Sequence, residues 1–95
     1  MEKRTSQRSE FPHMICFDLL AGKGNRYVNV PCRGMGIDIS EGGIGLTFDR
    51  TLEKDKVIRV LLPVLGGGAE VPVFSVIRWS EAVGPQFRVG LQFLG

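Results

Sequence analysis

The sequence predicts an all-β domain, a six-stranded antiparallel barrel, and three observations support that prediction. Apolar residues recur at every second position rather than at helical spacing, most clearly over residues 87–93. Glycine-rich or Gly-Pro breaks separate the alternating segments, and such breaks suit tight hairpins. Six short segments at regular spacing are typical of small barrels, whose closure removes the strand edges that invite aggregation.

The elements follow from this pattern in chain order. We predict strands within residues 14–19, 27–32, 44–48, 57–62, 71–79 and 87–93. Residues 21–25 and 65–69 are predicted hairpin loops, residues 83–85 a turn, and only residues 52–56 could hold a short helical turn. Residues 1–11 are polar and aperiodic, so we expect an N-terminal arm there. The barrel would then occupy residues 12–95, without a C-terminal helix.

Composition limits the function classes. The chain has 95 residues, of which 43% are hydrophobic and 23% charged, as expected for one globular domain. Its net charge of +2 is too small to indicate a binder of polymeric nucleic acid or of membrane surfaces. No apolar run is long enough for a membrane span, and the N-terminus does not resemble a signal peptide. We therefore expect a cytoplasmic protein.

Catalytic and metal-binding residues are sparse. The two cysteines, Cys16 and Cys32, form no CxxC pair, and one histidine cannot complete a metal site at good spacing. His13 and Cys16 are three residues apart, so on a strand they face opposite ways. No phosphate-binding loop pattern is present. These observations predict a non-enzymatic protein without cofactor or metal, in which both thiols are buried as small hydrophobic groups.

Two polar motifs carry the functional signal. The first is Arg4-Thr5-Ser6-Gln7-Arg8, which by itself is most simply a solvated tail. The second is Asp38-Ile39-Ser40-Glu41-Gly42-Gly43, which by itself is most simply a turn with polar capping residues. Asp38 and Ser40 are two residues apart, so both point to the same side of an extended chain. The two motifs in this order on a six-stranded barrel are far more specific than either alone.

The combination resembles the PilZ domain family, whose signature is RxxxR followed some tens of residues later by [D/N]xSxxG. The segments Val76-Ile77-Arg78-Trp79 and 88–93 are also similar to the last two strands of PilZ domains. The resemblance extends over nearly the whole chain. It implies a PilZ-type β-barrel that binds cyclic di-GMP (c-di-GMP), a bacterial second messenger. Many PilZ domains continue into a C-terminal helix, which this sequence lacks.

The resemblance implies a ligand site formed by Arg4, Arg8, Asp38, Ser40 and Gly43. Arginine offers a fork that fits guanine O6 and N7 and a flat face that stacks on bases. A carboxylate at residue 38 can accept from guanine N1–H and N2–H₂. The hydroxyl of residue 40 can donate to the sugar-phosphate side, and the glycine at 43 leaves room for close approach. The arm would close over the ligand as a clamp.

Three more basic residues are weaker candidates for the same ligand: Lys3, Arg78 and Arg88. Lys3 directly precedes the RxxxR motif and is compatible with a stacked pair of ligand molecules. Trp79 fits core or rim packing better than a stacking platform.

Two other functions stay open. A PilZ-like protein-interaction domain that does not bind nucleotide is the main alternative. A small barrel for single-stranded nucleic acid is disfavoured by the weak charge and by the single Trp and single Tyr. If the domain is a receptor, its output would pass to a downstream protein or an adjoining domain.

Overall fold

The computed structural model describes residues 7–64 and 66–94, without the side chains of Leu20, Ala21 and Lys23. Within these residues seven strands form one antiparallel sheet: β1 (Ser9–Glu10), β2 (Met14–Lys23), β3 (Arg26–Ser40), β4 (Gly43–Phe48), β5 (Val57–Pro63), β6 (Glu70–Val83) and β7 (Gln86–Phe93). The order β3-β2-β5-β6-β7-β4 closes on itself because β3 also pairs with β4. The predicted six-stranded PilZ-type barrel is confirmed, with β1 as an extra strand on β3.

Two hairpins have two-residue loops that begin with glycine. Gly24 and Gly84 have φ values of 63° and 61°, and they follow the last paired residues of β2 and β6. A glycine with positive φ at the first loop position is the requirement of type II′ turns, which match the twist of paired strands. The first loop is shorter than the predicted 21–25, since residues 21–23 belong to β2.

The segment between β4 and β5 contains a turn rather than the predicted helical turn. Residues 54–55 form this turn, and Asp55 has a φ of 71°. A left-handed residue interrupts helical geometry, and aspartate tolerates that conformation better than most side chains. In the described parts of the chain no helix is long and apolar enough to cross a membrane.

The core lies inside the barrel and is built from the inward positions of the alternating strands. Its buried side chains come from five strands and two connecting segments: Phe11, Ile15, Phe17, Ile44, Leu46, Phe48, Leu52, Ile58, Val60, Ile77, Val89 and Leu91. The aromatic rings of Phe17 and Phe48 meet edge to face, with centroids 4.9 Å apart. Cys32 packs partly buried against this core, and both cysteines are free thiols of intermediate exposure rather than fully buried.

The N-terminal segment is attached to the barrel just before β2. Ser9 pairs with Ile39 and Glu10 with Asp38, and Phe11 is only 7% exposed. The backbone N–H of Phe11 also donates to the Ile37 carbonyl over 2.9 Å. The proposed boundary between arm and barrel at residue 11 stays a prediction, but these contacts anchor the segment that carries Arg8.

The β2–β3 hairpin extends past the rest of the sheet. Strand β5 pairs with β2 only from Cys16 to Asp18, whereas β2 and β3 stay paired out to Lys23 and Arg26. Tyr27 near the tip is 73% exposed. The candidate site lies elsewhere, where β3 pairs with β4.

Candidate functional site

A depression of about 500 Å³ opens on the outer face of β3, β4, β7 and β6. Six of the eight residues predicted to bind ligand line it: Arg8, Asp38, Ser40, Gly43, Arg78 and Arg88. The other two, Lys3 and Arg4, lie outside the described residues. The fold thus brings together residues from both ends of the sequence, although whether they bind a ligand stays a prediction.

Two β-bulges shape the rim of this depression. The register of β3 shifts between Gly36 and Asp38, and that of β6 shifts between Ile77 and Trp79. A bulge adds one residue to one strand and redirects the side chains after it, and bulges are common beside functional sites. Each bulge is followed directly by a side chain on the rim, Asp38 on one side and Trp79 on the other.

Asp38 is held at the rim by Arg8. Arg8 Nη2 donates to Asp38 Oδ1 over 2.8 Å, and the two residues are 30 positions apart. This hydrogen bond is the main cause that lowers the pKa of the Asp38 carboxyl, and the charges of Arg8 and Arg88 and the backbone N–H of Gly45 act in the same direction. The carboxylate is therefore ionised at neutral pH and acts only as an acceptor. The same hydrogen bond raises the pKa of Arg8.

Ser40 and Gly43 both have roles in the fold beside any role in a site. The Ser40 hydroxyl accepts from the backbone N–H of Gly42 over 3.2 Å, as expected of a serine that caps a turn. Its own O–H remains a donor for a second partner. A Cβ at Gly43 would collide with the backbone carbonyl of Leu91. The room that Gly43 leaves is thus used by strand β7, which is a different reason for glycine from the one predicted.

The two other arginines of the depression differ in what they contact. Arg78 is the extra residue of the β6 bulge, and its Nε donates to Gln92 Oε1 over 2.5 Å while its Nη1 lies 3.5 Å from Asp55 Oδ1. Arg88 lies on β7 opposite Glu81 and Thr47. Its charge is one cause of the lowered Asp38 pKa, so it acts on the same rim. The face is therefore cationic around a single carboxylate.

The sequence prediction named neither Gly45 nor Gly90, and it assigned Trp79 to core or rim packing rather than to a stacking platform. Trp79 is 45% exposed and lines the depression, so it is a rim residue with an accessible ring rather than a core residue. Gly45 and Gly90 lie between buried apolar residues of β4 and β7, at positions where the alternation predicts an outward side chain. An isolated glycine inside a strand signals close approach of another group, and that signal was present in the sequence.

No group of three or more His, Cys, Asp or Glu side chains within residues 7–64 and 66–94 could hold a metal ion. The polar groups of the depression are one carboxylate, hydroxyl and amide oxygens, and guanidinium groups. Such a set suits hydrogen bonds to an anionic, planar molecule with donor edges.

The family model for the PilZ domain matches residues 2–95. The chain belongs to the PilZ domain family. The match extends over the arm motif, the Asp38–Gly43 motif and the last two strands together. Among curated proteins, no sequence matches the chain significantly.

Several solved structures share the fold at low sequence identity. The "K. pneumonia MrkH-c-di-GMP complex" has 16% identity and a TM-score of 0.67 over 100% of this chain. The Bacillus subtilis inhibitor of motility, MotI/DgrA, has 14% identity and a TM-score of 0.71 over 100%. YcgR from Escherichia coli in complex with c-di-GMP has 18% identity and a TM-score of 0.66 over 99%. This chain spans 46%, 44% and 39% of those three chains, respectively.

Proposed function

We propose that this PilZ domain is a receptor module that binds c-di-GMP in the depression between β3 and β6. The observation that carries the proposal is the meeting of Arg8 and Asp38, one from each family motif, at the rim of that depression. A known c-di-GMP complex with the same fold supports the choice of ligand. The fold similarity alone does not, because one fold serves many functions.

Charge and size support this ligand. Among the residues that line the depression, the three guanidinium groups of Arg8, Arg78 and Arg88 outnumber one carboxylate, and Asp55 lies outside the lining, 3.5 Å from Arg78 Nη1. A c-di-GMP molecule carries two negative phosphate charges, so the charges are complementary. A volume of about 500 Å³ lies within the roughly 300–1,000 Å³ range of small-molecule sites.

Within this proposal Asp38 binds the Watson–Crick edge of one guanine. An ionised carboxylate accepts from both N1–H and N2–H₂, whereas adenine presents no such pair of donors there. Because Asp38 would repel phosphate, the phosphates must lie toward the arginines. The Ser40 O–H would donate to the sugar-phosphate side.

The N-terminal residues would complete the site as a clamp. β1 anchors the chain beside Asp38, so Arg8 is already in place and residues 1–6 need only close over the ligand. Arg4 would then bind or stack on a guanine, and Lys3 would add charge against a second, stacked ligand molecule. The changed arm would present a new surface to a partner protein or an adjoining domain.

A calorimetric titration with c-di-GMP tests the proposal, with cyclic di-AMP as the matched control for the base. We expect micromolar or tighter affinity for c-di-GMP and at least tenfold weaker binding of cyclic di-AMP. Amide NMR shifts confined to residues 1–10, 36–45 and 78–92 would locate the site. No heat and no shifts would contradict the proposal and favour a protein-interaction domain that does not bind nucleotide.

A further inference from the structure

The centre of the depression is a row of four residues across four strands. Asp38 on β3 pairs with Gly45 on β4, Gly45 pairs with Gly90 on β7, and Gly90 pairs with Trp79 on β6. The two side chains at the ends of the row have functional groups, and the two residues in the middle have none. A directly paired Gly–Gly contributes no cross-strand side-chain contact, so the sheet itself does not benefit from it.

Both end side chains lie over the neighbouring glycine. A Cβ at Gly45 would be 2.8 Å from Asp38 Oδ1, and a Cβ at Gly90 would collide with the indole ring of Trp79. The carboxylate and the indole therefore rest on bare backbone, side by side and low in the depression. Arg8 Nη2 is also within 3.8 Å of the Gly45 position, so the ion pair shares the same space.

These two glycines differ from the other close-packed glycines of the barrel. A Cβ at Gly34, Gly36 or Gly43 would meet a backbone carbonyl of another segment, so those glycines are required for strand packing. At Gly45 and Gly90 the nearest atoms belong to the side chains of Asp38 and Trp79. The Asp38 carboxyl can rotate away from an alanine at position 45, whereas an alanine at position 90 would require the whole indole ring of Trp79 to move.

We propose that Gly45 and Gly90 are positioning residues that form the floor under the Asp38 carboxylate and the Trp79 ring, and that these two groups together bind one guanine of the ligand. Gly45 lets the Asp38 carboxylate lie low against the β4 backbone, and Gly90 lets the Trp79 ring lie flat on β7. One guanine then stacks on the open face of Trp79 and directs its N1–H and N2–H₂ edge at Asp38. This inference rests on the proposed function, since it assigns how the same ligand is oriented.

The first test is Gly45→Ala, compared with Gly67→Ala in the β5–β6 loop. A Cβ at Gly67 makes only ordinary contact, 3.7 Å from Val64 Cγ1, and the position is remote from the depression. We expect Gly45→Ala to weaken c-di-GMP binding at least tenfold and Gly67→Ala to change it less than twofold. Thermal unfolding should show that both variants remain folded.

A second readout separates positioning from simple obstruction of the ligand. In the free Gly45→Ala protein the displaced carboxylate loses Arg8 and the Gly45 N–H, so the pKa of Asp38 followed by carbon NMR should rise toward its ordinary value. Weaker binding with an unchanged Asp38 pKa would overturn the positioning role.

Gly90→Ala tests the other half of the floor. Trp79 is the single tryptophan of the chain, so fluorescence excited selectively at tryptophan, without Tyr27, reports on this position alone. We expect an altered emission maximum in the free variant, and loss of the fluorescence change that c-di-GMP causes in the wild type. If the wild type binds c-di-GMP and both alanine variants bind it within twofold of the wild-type affinity, this inference is wrong and the proposed function is unaffected. A wild type that does not bind would overturn both.

Discussion

Two rows of four residues on different sides of the barrel contain similar functional groups but differ at their centres. The first is the row Asp38–Gly45–Gly90–Trp79. The second crosses β3, β2, β5 and β6 as Pro31–Asp18–Arg59–Phe74. Each row has an aspartate paired with an arginine and an exposed aromatic ring.

The difference lies in where the arginine comes from. In the second row Arg59 is the cross-strand neighbour of Asp18, and its Nε and Nη2 lie 3.0 and 2.5 Å from Asp18 Oδ2. In the first row the neighbouring position is Gly45, and Arg8 reaches Asp38 from the N-terminal segment with one hydrogen bond of 2.8 Å. The second row borders a smaller depression, of about 260 Å³, and its two charged side chains bind each other across neighbouring strands. The first row borders a depression of about 500 Å³ and has no side chain at its two central positions, so we expect the ligand there.

Removal of the two aspartates should have the largest and most unequal effect. Asp38→Ala removes the acceptor of the guanine edge, and a good bidentate contact of this kind is worth about 1–3 kcal/mol. We therefore expect c-di-GMP affinity measured by calorimetry to fall roughly 5- to 150-fold. Asp18→Ala is the matched control and should leave affinity unchanged. Equal affinities for the two variants would remove the functional distinction between the rows.

Removal of the two arginines should have a smaller effect on binding. Arg8→Ala deletes one cation and one stacking or hydrogen-bonding group, and we expect affinity to fall by about 1–2 kcal/mol, or roughly tenfold. Arg8→Lys should recover the charge but not the planar fork, so its affinity should lie between those of wild type and Arg8→Ala. Full affinity in Arg8→Lys would show that only charge matters at this position. Arg59→Ala is the control that keeps the site intact.

The same Arg59→Ala variant should lose stability. Its pair with Asp18 joins two neighbouring strands, but Arg59 is about half exposed, so the pair is worth only about 0.5–1 kcal/mol. Urea unfolding should show a decrease of that size in the free energy of unfolding, with little change in c-di-GMP affinity. A marked loss of affinity would mean that the second row contributes to the site.

Much of the fold was predictable because one face of each strand is buried. Alternation located all six barrel strands, and glycine located the hairpins. The alternation did not predict β1, since Ser9 and Glu10 are exposed and have no apolar periodicity. It also did not predict the full length of β3. That strand continues through Gly34 and Gly36, which break the pattern because Cβ atoms there would meet carbonyls of Thr47 and Phe11.

The site was predictable only where a motif marks it. The motif residues Arg8, Asp38 and Ser40 do line one depression. The floor and the opposite rim depend on two bulges, and a bulge of one residue moves every following side chain to the other face. Trp79 was therefore assigned to packing, because nothing in the local pattern reveals the extra residue at Arg78. The pairing of Gly45 with Gly90 likewise depends on the register between β4 and β7, which the sequence pattern does not reveal.

The pH dependence of stability should give the smallest effect, and it isolates the Arg8–Asp38 pair. The pKa of Asp38 is lowered in the folded protein, chiefly by the hydrogen bond from Arg8, so its contribution to stability is present above the unfolded value of about 4. That contribution is lost as the pH falls through the lower pKa of the folded state, because protonation of Asp38 then removes the ion pair from the native state. Both side chains are partly exposed, at 40% and 28%, so the contribution is about 1 kcal/mol or less.

A comparison of wild type with Asp38→Asn by urea unfolding measures this contribution. The difference in unfolding free energy should be larger at pH 7 and should shrink as the pH falls through the folded pKa of Asp38, where the wild-type carboxylate becomes neutral like the amide. The Arg8→Ala background serves as the control, because without the guanidinium most of the pH-dependent difference should disappear. A difference that persists unchanged in that background would mean that the Gly45 N–H and Arg88, rather than Arg8, hold the carboxylate in place.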